Sequence, residues 1–151
     1  MLTEISVLVV YNQPDPLRTL WVALQGPGAS LRQARTCAEA GRILSGAKPP
    51  ELVFTGLEFP DGNWPDIVRL AKGAAEPVNV IVVSRQVDIP LYIRAIEQGA
   101  FDYITPPFEP ADLAYVIRCA ASNVLLRREV EARARASGQK SLVALALPAS
   151  R

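Results

Sequence analysis

Val78-Asn-Val-Ile-Val-Val83 is the clearest strand in the sequence, because it is rich in β-branched residues and almost wholly apolar. Such a strand is expected where helices cover both faces of a sheet. After it, residues 89–98 have helical character and are closed by Gly99, and residues 101–105 follow as another strand. Alternation of strand and helix around this stretch predicts parallel strands joined by helices.

The same alternation continues towards both ends of the chain. The predicted strands before this stretch span residues 5–10, 30–35 and 51–55. The predicted helices are a first one opened by Pro14, then 37–45 and 64–73, and a last one that starts after Pro110 and runs to about residue 136. A loop rich in turn-forming residues spans 56–63. Five strands and five helices predict one α/β domain with right-handed crossovers.

Composition narrows the function classes. The 151 residues suffice for one domain with a short appendage. Lysine and arginine number 16 against 15 aspartates and glutamates, a balance that favours neither nucleic acid nor a membrane as partner. Histidine is absent, which removes the commonest general base and metal ligand. Cys37 and Cys119 lie far apart and are interpreted as reduced thiols.

The N-terminus has no basic region and leads directly into a short apolar run, which is interpreted as a strand and not a signal peptide. No apolar run approaches the roughly 20 residues that span a bilayer. The expected location is the cytoplasm.

In a parallel α/β sheet the functional site lies beyond the carboxyl ends of the strands. The residues at those positions here are Tyr11-Asn12-Gln13, the segment 56–61, Ser84-Arg85 and Thr105-Pro106-Pro107. These strand ends are therefore the candidate site.

Residues 5–121 resemble the receiver domain of bacterial response regulators. Val7-Leu-Val-Val-Tyr-Asn-Gln-Pro14, Glu51-Leu-Val-Phe-Thr-Gly-Leu-Glu-Phe-Pro-Asp-Gly62 and Val80-Ile-Val-Val-Ser84 are similar to its first, third and fourth strands with their loops. Ala95-Ile-Glu-Gln-Gly-Ala-Phe-Asp-Tyr-Ile-Thr-Pro-Pro-Phe108 is the most specific match. The resemblance implies a doubly wound, flavodoxin-like sheet of strand order 2-1-3-4-5 with an extended C-terminal helix, and a cis bond between Pro106 and Pro107.

In that family an aspartate after the third strand accepts a phosphoryl group and two acidic residues after the first strand hold Mg²⁺. A Ser or Thr and a Lys after the fourth and fifth strands bind the phosphoryl group. At the matching positions stand Gly56, Tyr11 with Asn12, Ser84 and Pro106. Glycine has no acceptor oxygen, and proline cannot donate the hydrogen bond that an ammonium gives. The resemblance, with these departures, predicts a receiver that is not phosphorylated, is not an enzyme, and holds no metal or cofactor.

Two side questions stay open at the pocket. Tyr11 and Arg85 either fill the space left by the missing carboxylates, which is slightly favoured for Tyr11, or project into solvent at the rim. Glu58 and Asp61 are candidate substitute acceptors, but they are interpreted as solvated loop carboxylates because no metal site or lysine serves them.

In the family, phosphorylation moves the Ser or Thr and an aromatic of the fifth strand. This remodels the surface of the fourth helix, fifth strand and fifth helix, which commonly dimerises. Ser84 and Tyr103 are retained here. Tyr92 is a candidate exposed anchor on this surface, while Ile96 and Phe108 are interpreted mainly as core. The leading hypothesis is therefore a phosphorylation-independent module that binds protein partners, including a second copy through this surface.

The C-terminal region is divided into a helical extension, 122–137, and an apolar tail, 138–151. The extension carries a Leu126/Val130/Ala134 stripe and is expected to contribute to dimerisation, unless residues 142–147 fold back onto it. The tail is also open to interpretation as a sixth strand or a partner-binding segment. Four arginines of the extension alternate with glutamates and are interpreted as a solvated face rather than a phosphate-binding one; they are Arg127, Arg128, Arg133 and Arg135.

Two other functions compete with the leading hypothesis. The first is a small-molecule sensor with its ligand near Tyr11, Gly56, Ser84 and Arg85. The second is an enzyme on a flavodoxin-like scaffold, which is disfavoured because the loop 11–16 lacks the glycine or hydroxyl side chains that cradle phosphate. The fold alone does not separate these functions.

Overall fold

A computed structural model describes residues 4–12, 20–21, 24 and 29–138. Its strands are β1 (Ile5–Val10), β2 (Ala29–Ala34), β3 (Leu52–Thr55), β4 (Glu58–Phe59), β5 (Gly62–Asn63), β6 (Asn79–Val83) and β7 (Asp102–Ile104). Five of them form one parallel sheet in the order β2-β1-β3-β6-β7. The predicted fold and strand order are confirmed, with β6 and β7 as the predicted fourth and fifth strands.

The helices also follow the predicted alternation. The first, α1, is represented by the helical residues Leu20, Trp21 and Leu24, while its predicted start at Pro14 lies outside the described residues. The others are α2 (Cys37–Leu44), α3 (Trp64–Lys72), α4 (Ile89–Gln98) and α5 (Pro110–Ser137). Gly99 ends α4 in the left-handed region at φ 109°, as its position in the sequence predicts. None of the helices in the described part of the chain is long and apolar enough to cross a membrane.

The central strands bury side chains on both faces. Leu8 and Val10 of β1 join a cluster with α2, α3 and α4, whereas Val7 and Val9 join a second cluster with α1 and α5. In β3 and β6 every residue is buried. This burial on both faces explains why these strand sequences are almost wholly apolar.

The segment after β3 is more ordered than the predicted loop. β4 and β5 pair antiparallel, and Asp61 lies in the turn between them. Its carboxylate accepts the backbone N–H groups of Cys37 at 2.8 Å and Ala38 at 2.9 Å, so the turn caps the start of α2. These hydrogen bonds hold the pKa of Asp61 below its usual value. Asp61 is exposed, as predicted, but its carboxylate also ties the hairpin to α2.

Gly62 is required by this docking. A Cβ at Gly62 would lie 2.9 Å from the Sγ atom of Cys37 and 2.5 Å from Oδ2 of Asp66. Asp66 belongs to the first turn of α3 and accepts the backbone N–H of Asn63. The hairpin is thus held between the starts of α2 and α3.

At the amino ends of the strands, Arg128 of α5 joins the segments that lead into β3 and β6. Its Nε donates to the carbonyl oxygen of Pro77 at 2.8 Å, and its Nη2 donates to those of Pro50 at 2.8 Å and Pro49 at 3.2 Å. Its Nη1 donates to Oε2 of Glu51 at 3.2 Å, and the Arg128 side chain is only 12% exposed. We call this the Arg128 clamp.

A second set of polar contacts lies beside the clamp. The side chain of Asn79 at the start of β6 is buried and donates to the carbonyl oxygen of Ala120 at 2.9 Å and to Oδ1 of Asn123 at 3.0 Å. Nη1 of Arg127 donates to Oδ1 of Asn79 at 3.1 Å. Contacts between α5 and the sheet thus continue past residue 121, where the sequence placed the start of the extension.

The solvated face predicted for the four arginines is wrong for Arg127 and Arg128, which face the sheet. It holds for Arg133 and Arg135, which are exposed. Each of these two lies 3.7 Å from a glutamate one turn earlier on α5. The division of the chain at 121 and 137 stays a prediction.

Replacing Arg128 tests the importance of the clamp. We expect Arg128→Ala to lower the free energy of unfolding by about 3–5 kcal/mol, because it strands a largely buried carboxylate and three carbonyl groups. Urea unfolding measures the change. Arg133→Ala, at a side chain that is 78% exposed, is the matched control and should change stability by less than about 0.5 kcal/mol. Equal effects of the two substitutions would contradict the role given to the clamp.

Candidate functional site

A cavity of about 960 Å³ lies at the carboxyl ends of β1, β3 and β6. It brings together five of the residues that the sequence placed there: Tyr11, Asn12, Gly56, Ser84 and Arg85. The predicted cluster is therefore a real spatial neighbourhood. The sixth predicted residue, Pro106, is not among the described residues that line the cavity, although its bond to Pro107 is cis, as expected.

The two walls of the cavity combine apolar side chains with polar and charged ones such as Glu58, Gln86 and Asp88. The segment after β3 contributes Leu57, Phe59 and Pro60. The loop between β6 and α4 contributes Val87, and the start of α4 contributes Ile89; both are exposed. The sequence placed the segment 56–61 at this site but did not predict the wall formed by residues 86–90, because its apolar residues stand singly in a loop or at a helix start.

Tyr11 lines the cavity and does not fill it. Its side chain is half-buried and packs against the core cluster that α5 covers. Its backbone N–H donates to the carbonyl oxygen of Ala34 at 3.0 Å, which fixes the residue at the end of β1. Arg85 is exposed at the rim. The slightly favoured expectation that Tyr11 plugs the pocket is therefore wrong.

Two hydroxyl groups converge on one backbone carbonyl beside the cavity. The buried Ser84 donates from Oγ to the carbonyl oxygen of Gln86 at 2.9 Å, and the Tyr103 hydroxyl donates to the same oxygen at 3.0 Å. The Tyr103 oxygen also accepts the backbone N–H of Asp88 at 3.2 Å. We call this arrangement the Gln86 latch, because it joins β6 and β7 to the loop that enters α4.

The latch continues into α4 through an aromatic contact. The rings of Tyr92 and Tyr103 lie 5.6 Å apart between centroids with an interplanar angle of 55°, a tilted geometry that aromatic pairs favour. Tyr92 is exposed, as predicted, and Ile96 is half-buried. The three residues predicted for the interaction surface therefore lie along one side of α4 and on β7.

An exposed apolar surface on α4 extends further than predicted. Leu91 and Ala95 face the core. Turning about 100° per residue, the helix then presents Tyr92, followed by Ile89 and Ile93, which are 59% and 49% exposed. Ile93 was missed in the sequence, although the i, i+4 spacing of the two isoleucines was a signal for it.

The donor groups at the cavity floor do not suit Mg²⁺. This ion prefers oxygen ligands that include one or two carboxylates. Tyr11 and Asn12 offer a phenol and a neutral amide, and Gly56 has no side chain. Of the carboxylates that line the cavity, Asp88 already accepts the backbone N–H of Leu91 at 3.0 Å as the N-cap of α4. No cluster of three or more potential metal ligands occurs within the described ranges.

Known proteins resemble this chain in sequence. Residues 7–118 match the family described as the response regulator receiver domain. The KDP operon transcriptional regulatory protein KdpE of Escherichia coli is 32% identical over 116 residues, which cover 76% of this chain and 50% of that protein. The transcriptional regulatory protein KdpE of Mycobacterium tuberculosis is 31% identical over 125 residues, covering 83% and 54%. The chain spans about half the length of these relatives.

Solved structures show the same fold. The signal receiver domain of an HD domain-containing protein from Pseudomonas fluorescens superposes with a TM-score of 0.74 at 22% identity, covering 85% of this chain and 95% of that one. The response regulator domain of CheB from Thermotoga maritima gives a TM-score of 0.66 at 26% identity, covering 79% and 97%. Together with the family match over residues 7–118, these likenesses show that the chain belongs to the response regulator receiver domains of two-component signalling.

Proposed function

We propose that this receiver domain works without phosphorylation, by binding protein partners, and that it has no catalytic activity of its own. The observation that carries the proposal is Gly56, which directly follows β3 and lines the cavity where the family places its phosphoacceptor. A glycine offers no side-chain oxygen for phosphoryl transfer.

The surrounding residues remove the support that phosphoryl transfer needs. Tyr11 and Asn12 supply no carboxylate for Mg²⁺. Pro106 supplies no ammonium to neutralise a phosphoryl group. One such change is open to compensation by neighbours, but the four together remove the acceptor, the metal-binding carboxylates and the lysine that the family uses.

The Gln86 latch supports a conformation that does not wait for a phosphoryl group. The Ser84 hydroxyl is already donated to the Gln86 carbonyl, and Tyr103 is held by that carbonyl and by the Asp88 N–H. Each such hydrogen bond stabilises the native loop by about 1 kcal/mol. The receiver keeps the hydroxyl and the aromatic of the family but satisfies both internally.

The apolar surface of α4 supports protein binding. Tyr92, Ile89 and Ile93 form a continuous exposed strip beside β7, which is an edge strand of the sheet. Exposed apolar strips of this kind are typical of interaction sites. We therefore assign self-association to the surface formed by α4, β7 and the adjoining part of α5.

The cavity gives a second candidate function, the binding of a small molecule. Its volume of about 960 Å³ falls within the usual size of ligand pockets, and Tyr11 does not block it. A ligand found in a metabolite screen should raise the Tm with concentration, and Arg85→Ala at the cavity should reduce that shift. Arg94→Ala, at an exposed α4 residue that does not line the cavity, is the control. An unchanged shift in Arg85→Ala would place the ligand elsewhere.

The absence of phosphorylation can be tested directly. Incubation with acetyl phosphate or phosphoramidate and Mg²⁺ should give no mass increase of one phosphoryl group, because Gly56 has no carboxylate. Intact-protein mass spectrometry measures this, with a phosphorylatable receiver domain as the positive control. A stoichiometric, hydroxylamine-sensitive adduct would contradict the proposal.

Gly56→Asp extends the same experiment. Restoring the acceptor alone should not restore labelling, since Tyr11, Asn12 and Pro106 still deny the metal and the charge partner. Gly56 is buried, so the new carboxylate loses hydration and should lower stability. Efficient Mg²⁺-dependent labelling of this variant would show that the missing acceptor is the only defect.

Self-association is expected to use the α4 surface that contains Tyr92. Sedimentation at micromolar concentration should show a dimer, and Tyr92→Asp should raise its dissociation constant about thirtyfold or more, the usual effect of losing a central aromatic anchor. Ser30→Asp is the matched control, because it adds the same charge at an exposed position of β2 on the other edge of the sheet. A monomeric parent chain, or equal weakening by both substitutions, would end the dimer claim.

A further inference from the structure

The side chains of the stripe Leu126/Val130/Ala134 become more buried towards the C-terminal end of α5. Leu126 is 56% exposed, Val130 is half-buried, and Ala134 is only 3% exposed. Neighbours of Ala134 on the helix, Arg133 and Arg135, are exposed, so the cover is confined to one side of α5.

The sheet does not explain this gradient. Among the described residues, the last hydrogen bonds from α5 to the segments before β3 and β6 are those of the Arg128 clamp. Beyond Arg128, the nine residues to Ser137 extend α5 by roughly 14 Å at about 1.5 Å per residue. A stripe covered by the sheet would become more exposed along this extension, whereas the observed burial increases. The segments before β3 and β6 therefore do not account for the burial of Ala134.

The end of α5 turns the chain in the required direction. Gly138 lies in the left-handed region at φ 76°, and its N–H bonds back to the carbonyl oxygens of Ala134 and Arg135. This ending stops a helix and redirects the following residues across its last turn. The 13 residues that follow, 139–151, lie outside the described residues and contain the apolar run Leu142-Val-Ala-Leu-Ala-Leu147.

The length of this run fits the stripe. Leu126 lies 12 residues before Gly138, which is about 18 Å along the helix. An extended chain advances about 3.3 Å per residue, so a tail that reversed direction within about two residues would bring Leu142 level with Ala134 and Leu145 level with Leu126. The apolar run is therefore long enough to span the apolar stripe.

We propose that α5 between Leu126 and Ala134 is a docking site for residues 142–147 of the same chain. The covalent connection favours the tail over a second copy, because a short linker gives an effective concentration in the millimolar range. The tail then completes the fold at the amino edge of the sheet and shields the extension from association. This leaves the α4 surface, which is on the other face of the sheet, for partners.

Disulfide trapping tests the proposal. In a Cys119→Ser background, Val130→Cys is combined in turn with cysteines at 143, 144 and 145. Cys37 is retained, because burial and the nearby Asp61 and Asp66 raise its thiol pKa to about 11, which makes it a poor reactant. We expect oxidation to give an intramolecular bond, seen as a faster-moving monomer on a non-reducing gel and as a linked peptide pair by mass spectrometry.

Arg133→Cys with the same tail cysteines is the matched control, since Arg133 lies on the exposed side of the same turn region. The Val130 pairs should cross-link at least about tenfold faster than the Arg133 pairs, as expected for docked rather than freely diffusing groups. Equal rates would overturn the proposal. Cross-linked dimers in place of monomers would show that a second copy covers the stripe.

A chain ending at Gly138 gives an independent measurement. Backbone amides of 130–137 should exchange with deuterium about tenfold faster or more than in the full chain, while those of β3 and β6 keep their protection. Unchanged exchange in 130–137 would overturn the proposal. Neither experiment depends on phosphorylation or on dimerisation through α4, so its outcome is separate from that of the proposed function.

Discussion

Burial of the central sheet on both faces is the constraint that organises this molecule. Because α2, α3 and α4 cover one face and α1 and α5 the other, the side chains of β3 and β6 cannot reach solvent. Chemistry is left to the residues that follow the strands, where the chain emerges from the core. Tyr11, Gly56 and Ser84 meet at the cavity for this reason, and any function of the carboxyl edge is set by what stands at these few positions.

The same constraint explains how far the sequence is informative. Continuous apolar strands and glycine-terminated helices predict the parallel sheet, and strand ends predict which residues share the cavity. The hairpin after β3 was not predicted, because its pairing depends on the Asp61 carboxylate reaching α2, a contact over more than 20 residues. Arg128 was assigned to solvent because, like Arg133, it belongs to a run of arginines that alternates with Glu129 and Glu131. Only the fold distinguishes Arg128, which donates to three backbone carbonyl oxygens, from Arg133, which is exposed to solvent.

The Gln86 latch gathers two side-chain hydroxyl groups on one backbone oxygen. A carbonyl oxygen has two lone pairs, and here Ser84 and Tyr103 occupy both. The loop that enters α4 is thereby fixed from β6 and from β7 at once. The Tyr103 ring also packs against the ring of Tyr92 on α4. The position of α4 is therefore tied to the cavity rim through a short chain of direct contacts.

The carboxyl ends and the amino ends of the strands therefore carry different structural features. The carboxyl ends of the strands carry a cavity of mixed polar and apolar lining, and α4 beside it carries exposed apolar side chains, a combination that suits recognition. At the amino edge, the Arg128 guanidinium gathers the segments before β3 and β6 around α5, which suits stability. Docking of the tail on the far end of α5 would belong to this second edge. An unshielded stripe of Leu126 and Val130 would offer a second apolar surface and compete with α4 for partners, so covering it makes association specific to one surface.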